Sequence, residues 1–109
     1  MPSNGHALLI VRSNVLPGRQ DEYNRWYNEV HLRDMLSVPG VLTARRYVSL
    51  LDEPKYAAVY ELESDEVLQS EAYLTIPHGR RDGGLPSKWG DGLTGYTRQQ
   101  YKLLYAAEK

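Results

Sequence analysis

The sequence predicts an α+β domain in which two strand–helix–strand halves share one four-stranded antiparallel sheet. Three observations carry this. Strand-length apolar runs alternate with helical stretches in the order strand, helix, strand, strand, helix, strand. The order repeats after about 50 residues, as in the ferredoxin-like split βαβ arrangement. Turn punctuation at Pro17-Gly18, Pro39-Gly40 and Pro54 falls between the runs.

The first strand is "HALLIVRS", His6–Ser13, set between Asn4-Gly5 and Pro17-Gly18. "GRQDEYNRWYNEVHLRDML" follows as a helix, with Asp21 and Glu22 at the positive dipole end of its first turn. Pro39 closes it by biasing Val38 away from helical angles. "VLTARRYVSL" (41–50) and "KYAAVYEL" (55–62) are rich in β-branched and aromatic residues and flank the turn "LDEP", so they form a hairpin. Ser64 caps a second helix that carries Asp65 and Glu66 in its first turn, is open to a break near Ser70 and ends at Pro77. Residues 77–95 hold six of the nine glycines and two prolines, and are expected to form a long loop. "YTRQQYKLLYA" (96–106) reads as the last strand.

At 109 residues a single domain, 1–109, is expected. Thirteen basic and fourteen acidic side chains give a net charge of −1, which argues against a phosphate-driven nucleic-acid partner. The absence of cysteine excludes disulfides, thiolate metal sites and cysteine nucleophiles. No apolar run reaches the roughly 18 residues a membrane span needs, and the first residues do not read as a signal peptide. A cytoplasmic location without membrane contact is the default expectation. Nine tyrosines and two tryptophans stand against no phenylalanine, a usage that suits a wet interface or a pocket lined by hydrogen-bonding rings. Ala57 and Val59 lie on the strand face opposite Tyr56, Ala58, Tyr60 and Leu62, so both sheet faces need cover and a homodimer is expected.

The long helix holds the unusual residues. With Tyr23 at zero and about 100° per residue, Trp26, Tyr27, Val30 and Asp34 fall within about 60° of the sheet-facing direction, with His31 at about 80°. Arg25, Glu29 and Arg33 form oppositely charged i,i+4 pairs on the far side. Tyr27, His31 and Asp34 thus occupy successive turns of one edge. Histidine exchanges protons near neutrality, and a carboxylate within reach fixes its tautomer. The competing reading is a core histidine satisfied by a backbone carbonyl.

"WYNEVHLRDMLSVPGV" followed by "ARRY" resembles the signature helix of the dimeric α/β-barrel superfamily, most of all its EthD-like branch. The likeness covers residues 7–76 as an order of elements and 26–47 as a pattern. It implies two sheets paired into a barrel, with small-molecule sites between each sheet and its helices. His31 matches the histidine of the family pattern, and Trp26 and Tyr27 match its aromatic pair. The implied chemistry runs from lactone isomerisation, polyketide cyclisation and decarboxylation to cofactor-independent oxygenation and, in other branches, haem binding. The 77–95 loop has no family counterpart.

The leading expectation is a cofactor-independent acid/base enzyme of isomerase, cyclase, dehydratase or decarboxylase type, acting on a small apolar or aromatic carbonyl or enol. His31 is its general acid/base, Asp34 its orienter and Tyr27 a hydrogen-bonding partner. Trp26, Tyr60 and the loop residue Trp89 shape the cavity. Adjacent strand residues Arg45 and Arg46 face opposite ways, and Arg46 is favoured to hold a substrate carboxylate or enolate. The alternatives are a non-catalytic binding or assembly module and a cofactor-free monooxygenase or haem-binding protein. No cofactor or metal is expected: His6, His31 and His78 lack ligand spacing. "GDGLTG" (90–95) matches a dinucleotide motif but lacks its strand–turn–helix setting.

Overall fold

The computed structural model describes residues 6–15, 17–51, 53–76 and 93–109. Four strands, β1 (Ala7–Val15), β2 (Val41–Val48), β3 (Tyr56–Leu62) and β4 (Leu93–Lys102), form one antiparallel sheet in the order β2-β3-β1-β4. The first helical layer is α1 (Gln20–Trp26), a π-helical turn (Tyr27–His31) and α2 (Leu32–Leu36). The second is a 3₁₀ turn (Asp65–Gln69) followed by α3 (Glu71–Thr75). This is the expected ferredoxin-like α+β architecture. Most of residues 77–95, including Trp89 and His78, lies outside the described residues. Among those described, no helix is long and apolar enough to cross a membrane.

The helices cover one sheet face. Ala7 and Leu9 of β1, Ala58, Tyr60 and Leu62 of β3 and Val41 of β2 meet Tyr23, Tyr27, Met35, Val38, Val67, Leu68 and Tyr73 in a single core. Ser64 and Ser70 start the two short helical pieces, each hydroxyl accepting from a backbone N–H two or three residues on, Glu66 and Tyr73. The break at Ser70 therefore has the mechanism its sequence suggested. β4 starts earlier and stops earlier than expected. Lys102 pairs with Ala7, the first residue of β1, and beyond it Leu103 N–H donates to the His6 carbonyl at 2.6 Å. Residues 103–109 run on without regular structure.

Two one-residue insertions change which side chains face inward. The π turn delays every later helical residue by about one position relative to an α-helix. His31 therefore takes the inward place that a regular wheel gives Val30, and Met35 takes that of Asp34. His31 and Met35 are buried, Val30 is 46% exposed, and Asp34 is half-buried at the helix edge. The expected inward positions of Val30 and Asp34 are corrected accordingly. The second insertion is a bulge in β2. Val41 pairs with Leu62, but Thr43 rather than Leu42 pairs with Glu61. Alternation flips there. Ala44 and Arg46 then sit opposite Tyr60 and Ala58 on the helix face, and Arg45 turns outward.

Among the described residues no helix lies over the other sheet face. Leu8, Ile10, Glu61, Tyr101, Lys102, Leu103 and Leu104 border a shallow depression of about 480 Å³ on that side.

Candidate functional site

The space between sheet and first helical layer is built from aromatic rings. Tyr23 and Tyr27 meet edge to face at 5.2 Å between centroids, and Tyr56 leans on Tyr23 at 5.6 Å. Trp26 packs against the Tyr27 edge at 5.0 Å. His31 is stacked on Trp26, centroids 4.7 Å apart and planes 11° apart, and meets Tyr27 at 5.3 Å nearly perpendicular. Such ring pairs contribute roughly 0.5–1.5 kcal/mol each beyond area burial. The imidazole is thus wedged among its neighbours, with 7% of its surface exposed. Deeper in, the hydroxyls of Ser13 and Tyr23 share a short bond of 2.5 Å.

Arg46 lies over this cluster. Its guanidinium carbon is 4.7 Å from the Tyr27 ring centroid, 5.4 Å from that of Tyr56 and 5.5 Å from that of Tyr23. Its Nη1 donates to Asn28 Oδ1 at 3.1 Å. Arg45, by contrast, is exposed and lies 3.6 Å from Glu61.

Toward the β4 edge of the same face stands a polar group built by β3, β4 and α3. Arg98 Nη2 donates to the Tyr73 hydroxyl at 2.9 Å. Arg98 and Tyr60 flank β1 on its helix face, opposite Val11 and Leu9. The Tyr60 hydroxyl and Arg98 Nε–H are both buried and make no hydrogen bond. A buried donor left without an acceptor costs about 1–3 kcal/mol.

Electrostatics keep the phenols neutral. Burial drives the Tyr27 hydroxyl well above the ordinary tyrosine value. Burial also raises Tyr60, helped by the neighbouring phenols of Tyr73 and Tyr23 and opposed by Arg46. For Tyr23, burial outweighs the bond to Ser13 and the pull of Arg46, and the net shift is again upward. These hydroxyls keep their protons near neutral pH, so they are able to donate a hydrogen bond and do not serve as bases.

Of the residues expected from the sequence, the fold gathers Trp26, Tyr27, His31, Arg46 and Tyr60 into one layer. No hydrogen bond or ion pair joins Asp34 to His31; the backbone carbonyl of Asp34 accepts from Ser37 Oγ at 2.6 Å. Trp89 lies outside the described residues. Ser13, Tyr23, Tyr73 and Arg98 were not anticipated. The alternation of Tyr96, Arg98 and Gln100 along β4 carried the signal for Arg98, an arginine on the inward parity. Among the described residues no group of three acidic or histidine side chains could hold a metal ion.

The chain matches no family model, and no curated protein is similar to it by sequence. Solved structures do match. A variant of MhuD, the haem degrader of Mycobacterium tuberculosis, with two manganese protoporphyrin IX molecules per active site, superposes with a TM-score of 0.66 at 17% identity, over 94% of this chain and 99% of that one. A candidate monooxygenase from Shewanella loihica PV-4 gives 0.61 at 20% identity, over 96% and 100%. A candidate antibiotic biosynthesis monooxygenase from Nitrosomonas europaea gives 0.57 at 12% identity, over 99% and 100%. The chain shares their ferredoxin-like fold.

These neighbours bear on two expectations. None of the three is described as an isomerase, cyclase, dehydratase or decarboxylase; their printed descriptions are of haem degradation and monooxygenation, so the acid/base enzyme expected from the helix is not upheld. No neighbour reported is described as EthD-like, and of the expected resemblance the ferredoxin-like fold alone is shown.

Proposed function

We propose that the chain is a monooxygenase-type enzyme for a small, flat, conjugated molecule that is enolisable or phenolic, bound between the sheet and its helices. One observation carries the reading: the buried hydroxyl of Tyr60 and the buried Nε–H of Arg98 lack an acceptor on the same face of the sheet. An oxygen of the substrate supplies one. A donor pair that includes a guanidinium favours the enolate or phenolate over its neutral parent. That anion is the form able to pass an electron to O₂. A methylene carbon and O₂ then become a carbonyl carbon and water, with all electrons drawn from the substrate. Trp26, Tyr27 and His31 form the aromatic wall.

Haem, present in MhuD, does not fit the described residues as a ligand of His31. The ring is 7% exposed and closed in by Trp26 and Tyr27, which leaves a macrocycle no approach. Oxygen uptake with a panel of 1,3-dicarbonyl compounds and polycyclic phenols tests the proposal. Uptake is expected with the native chain, falling about 10²–10³-fold in Arg98→Gln and less in Tyr60→Phe. Equal uptake by Arg98→Gln, or a Soret shift on adding haem, would refute it.

The open sheet face supports a homodimer. Leu8 and Ile10 are only half-covered there, and Tyr101, Leu103 and Leu104 are exposed. Light scattering is expected to give twice the chain mass, and Ile10→Asp to give the monomer; a native monomer would exclude the pairing.

A further inference from the structure

We infer that the cleft beside Arg46 is a binding site for an aromatic carboxylate, separate from the Tyr60–Arg98 pair. The cleft measures about 310 Å³ and is lined by Asn24, Asn28, Arg46, Tyr47, Val48 and Tyr56. Its cation is unusual in its company. Three tyrosine rings and one amide oxygen surround the Arg46 guanidinium, and among the described residues no carboxylate pairs with it. The next residue, Arg45, sits in solvent and has Glu61. Ring faces and an amide stabilise a guanidinium without neutralising it, and they fix the plane of its fork.

A fixed, half-buried fork with open N–H groups matches a carboxylate, which accepts two parallel bonds from it. Among the described residues no acidic side chain lines the cleft to repel the ligand, and the amides of Asn24 and Asn28 offer neutral donors beside the cation. Tyr47, Val48 and Tyr56 add apolar wall, which an inorganic anion would leave unused. Tyr56 is itself packed on Tyr23, so the ring that receives the ligand is held in place. The β2 bulge makes all of this possible, because without it Arg46 would face the opposite side of the sheet.

Calorimetric titration with benzoate tests the site without any turnover, so its failure and that of the oxygenase reading are distinguishable. Saturable binding is expected for the native chain, with inorganic phosphate and benzyl alcohol each weaker. Arg46→Gln is expected to weaken benzoate by about tenfold or more, and Arg45→Gln by less than about twofold. Asn28→Asp leaves Arg46 in place but sets a carboxylate against it, and is expected to match the loss in Arg46→Gln with the melting temperature preserved. No saturable binding, equal affinity in the two arginine variants, or undiminished binding in Asn28→Asp would overturn the assignment. Phosphate binding as tightly as benzoate would overturn the aromatic part of it.

Discussion

Gly40 is the residue where the structure makes its sharpest energetic demand. It joins the first helical layer to β2, at φ +94°, and its carbonyl accepts from Glu63 N–H at 2.8 Å. A Cβ built there would lie 2.5 Å from Val67 Cγ2 and 3.2 Å from Glu63 Cγ. Two costs follow for Gly40→Ala. The left-handed backbone costs an L-residue roughly 1–2 kcal/mol, and overpacking against a buried valine roughly 1–3 kcal/mol more. The sum, about 2–5 kcal/mol, is a large share of the 5–15 kcal/mol typical of a domain. Gly18 supplies the control, since it has nearly the same φ, +93°, with nothing within 4 Å of its Cβ position. Gly18→Ala should therefore show the backbone term alone. Urea unfolding of both variants separates the terms, and Val67→Ala in the Gly40→Ala background should recover the contact term. Equal losses for the two glycines, or additive effects of Gly40→Ala and Val67→Ala, would refute the reasoning.

Three further outcomes are expected. Tyr23, Tyr27 and Tyr60 all hold their protons above the ordinary value near 10, so the folded chain binds more protons than the unfolded one above that pH. The phenols' contribution to stability should be constant below about pH 10 and fall above it, by up to ~1.4 kcal/mol per pH unit for each phenol; a flat profile in denaturant titrations from about pH 10 to about pH 11 would contradict this. Tyr23→Phe leaves the buried Ser13 hydroxyl unpaired and should cost about 1–3 kcal/mol, while adding Ser13→Ala should cost little more; additivity in that cycle would deny the bond. Met35→Ala should cost about 2–5 kcal/mol and Val30→Ala less than about 0.5, the reverse of what an uninterrupted α-helix requires, as thermal melts would report.

Much of the fold was legible because its punctuation is chemical. Pro17-Gly18, Pro39-Gly40, Ser64 and Ser70 mark element ends by backbone restriction or capping, and the structure places ends at or near all of them. What the sequence hid were shifts of one residue. An inserted π turn and an inserted bulge leave composition and spacing almost untouched, yet they turn His31 and Arg46 inward and Val30 and Arg45 outward. The pairing of Tyr73 with Arg98 was hidden differently, since 25 residues separate two side chains that only the sheet brings together. Reaction type was least legible, because it depends on where donors converge rather than on which residues are present.

The arginine doublet gains meaning from the bulge that precedes it. If the bulge were straightened with its residue kept, Leu42 would pair with Glu61, the strand would slide by one place, and every inward side chain of β2 beyond it would be exchanged for its neighbour. Arg45 would then arrive where Arg46 now stands. With twin cations in succession, that one-place slide would still deliver a positive charge to the same aromatic bed.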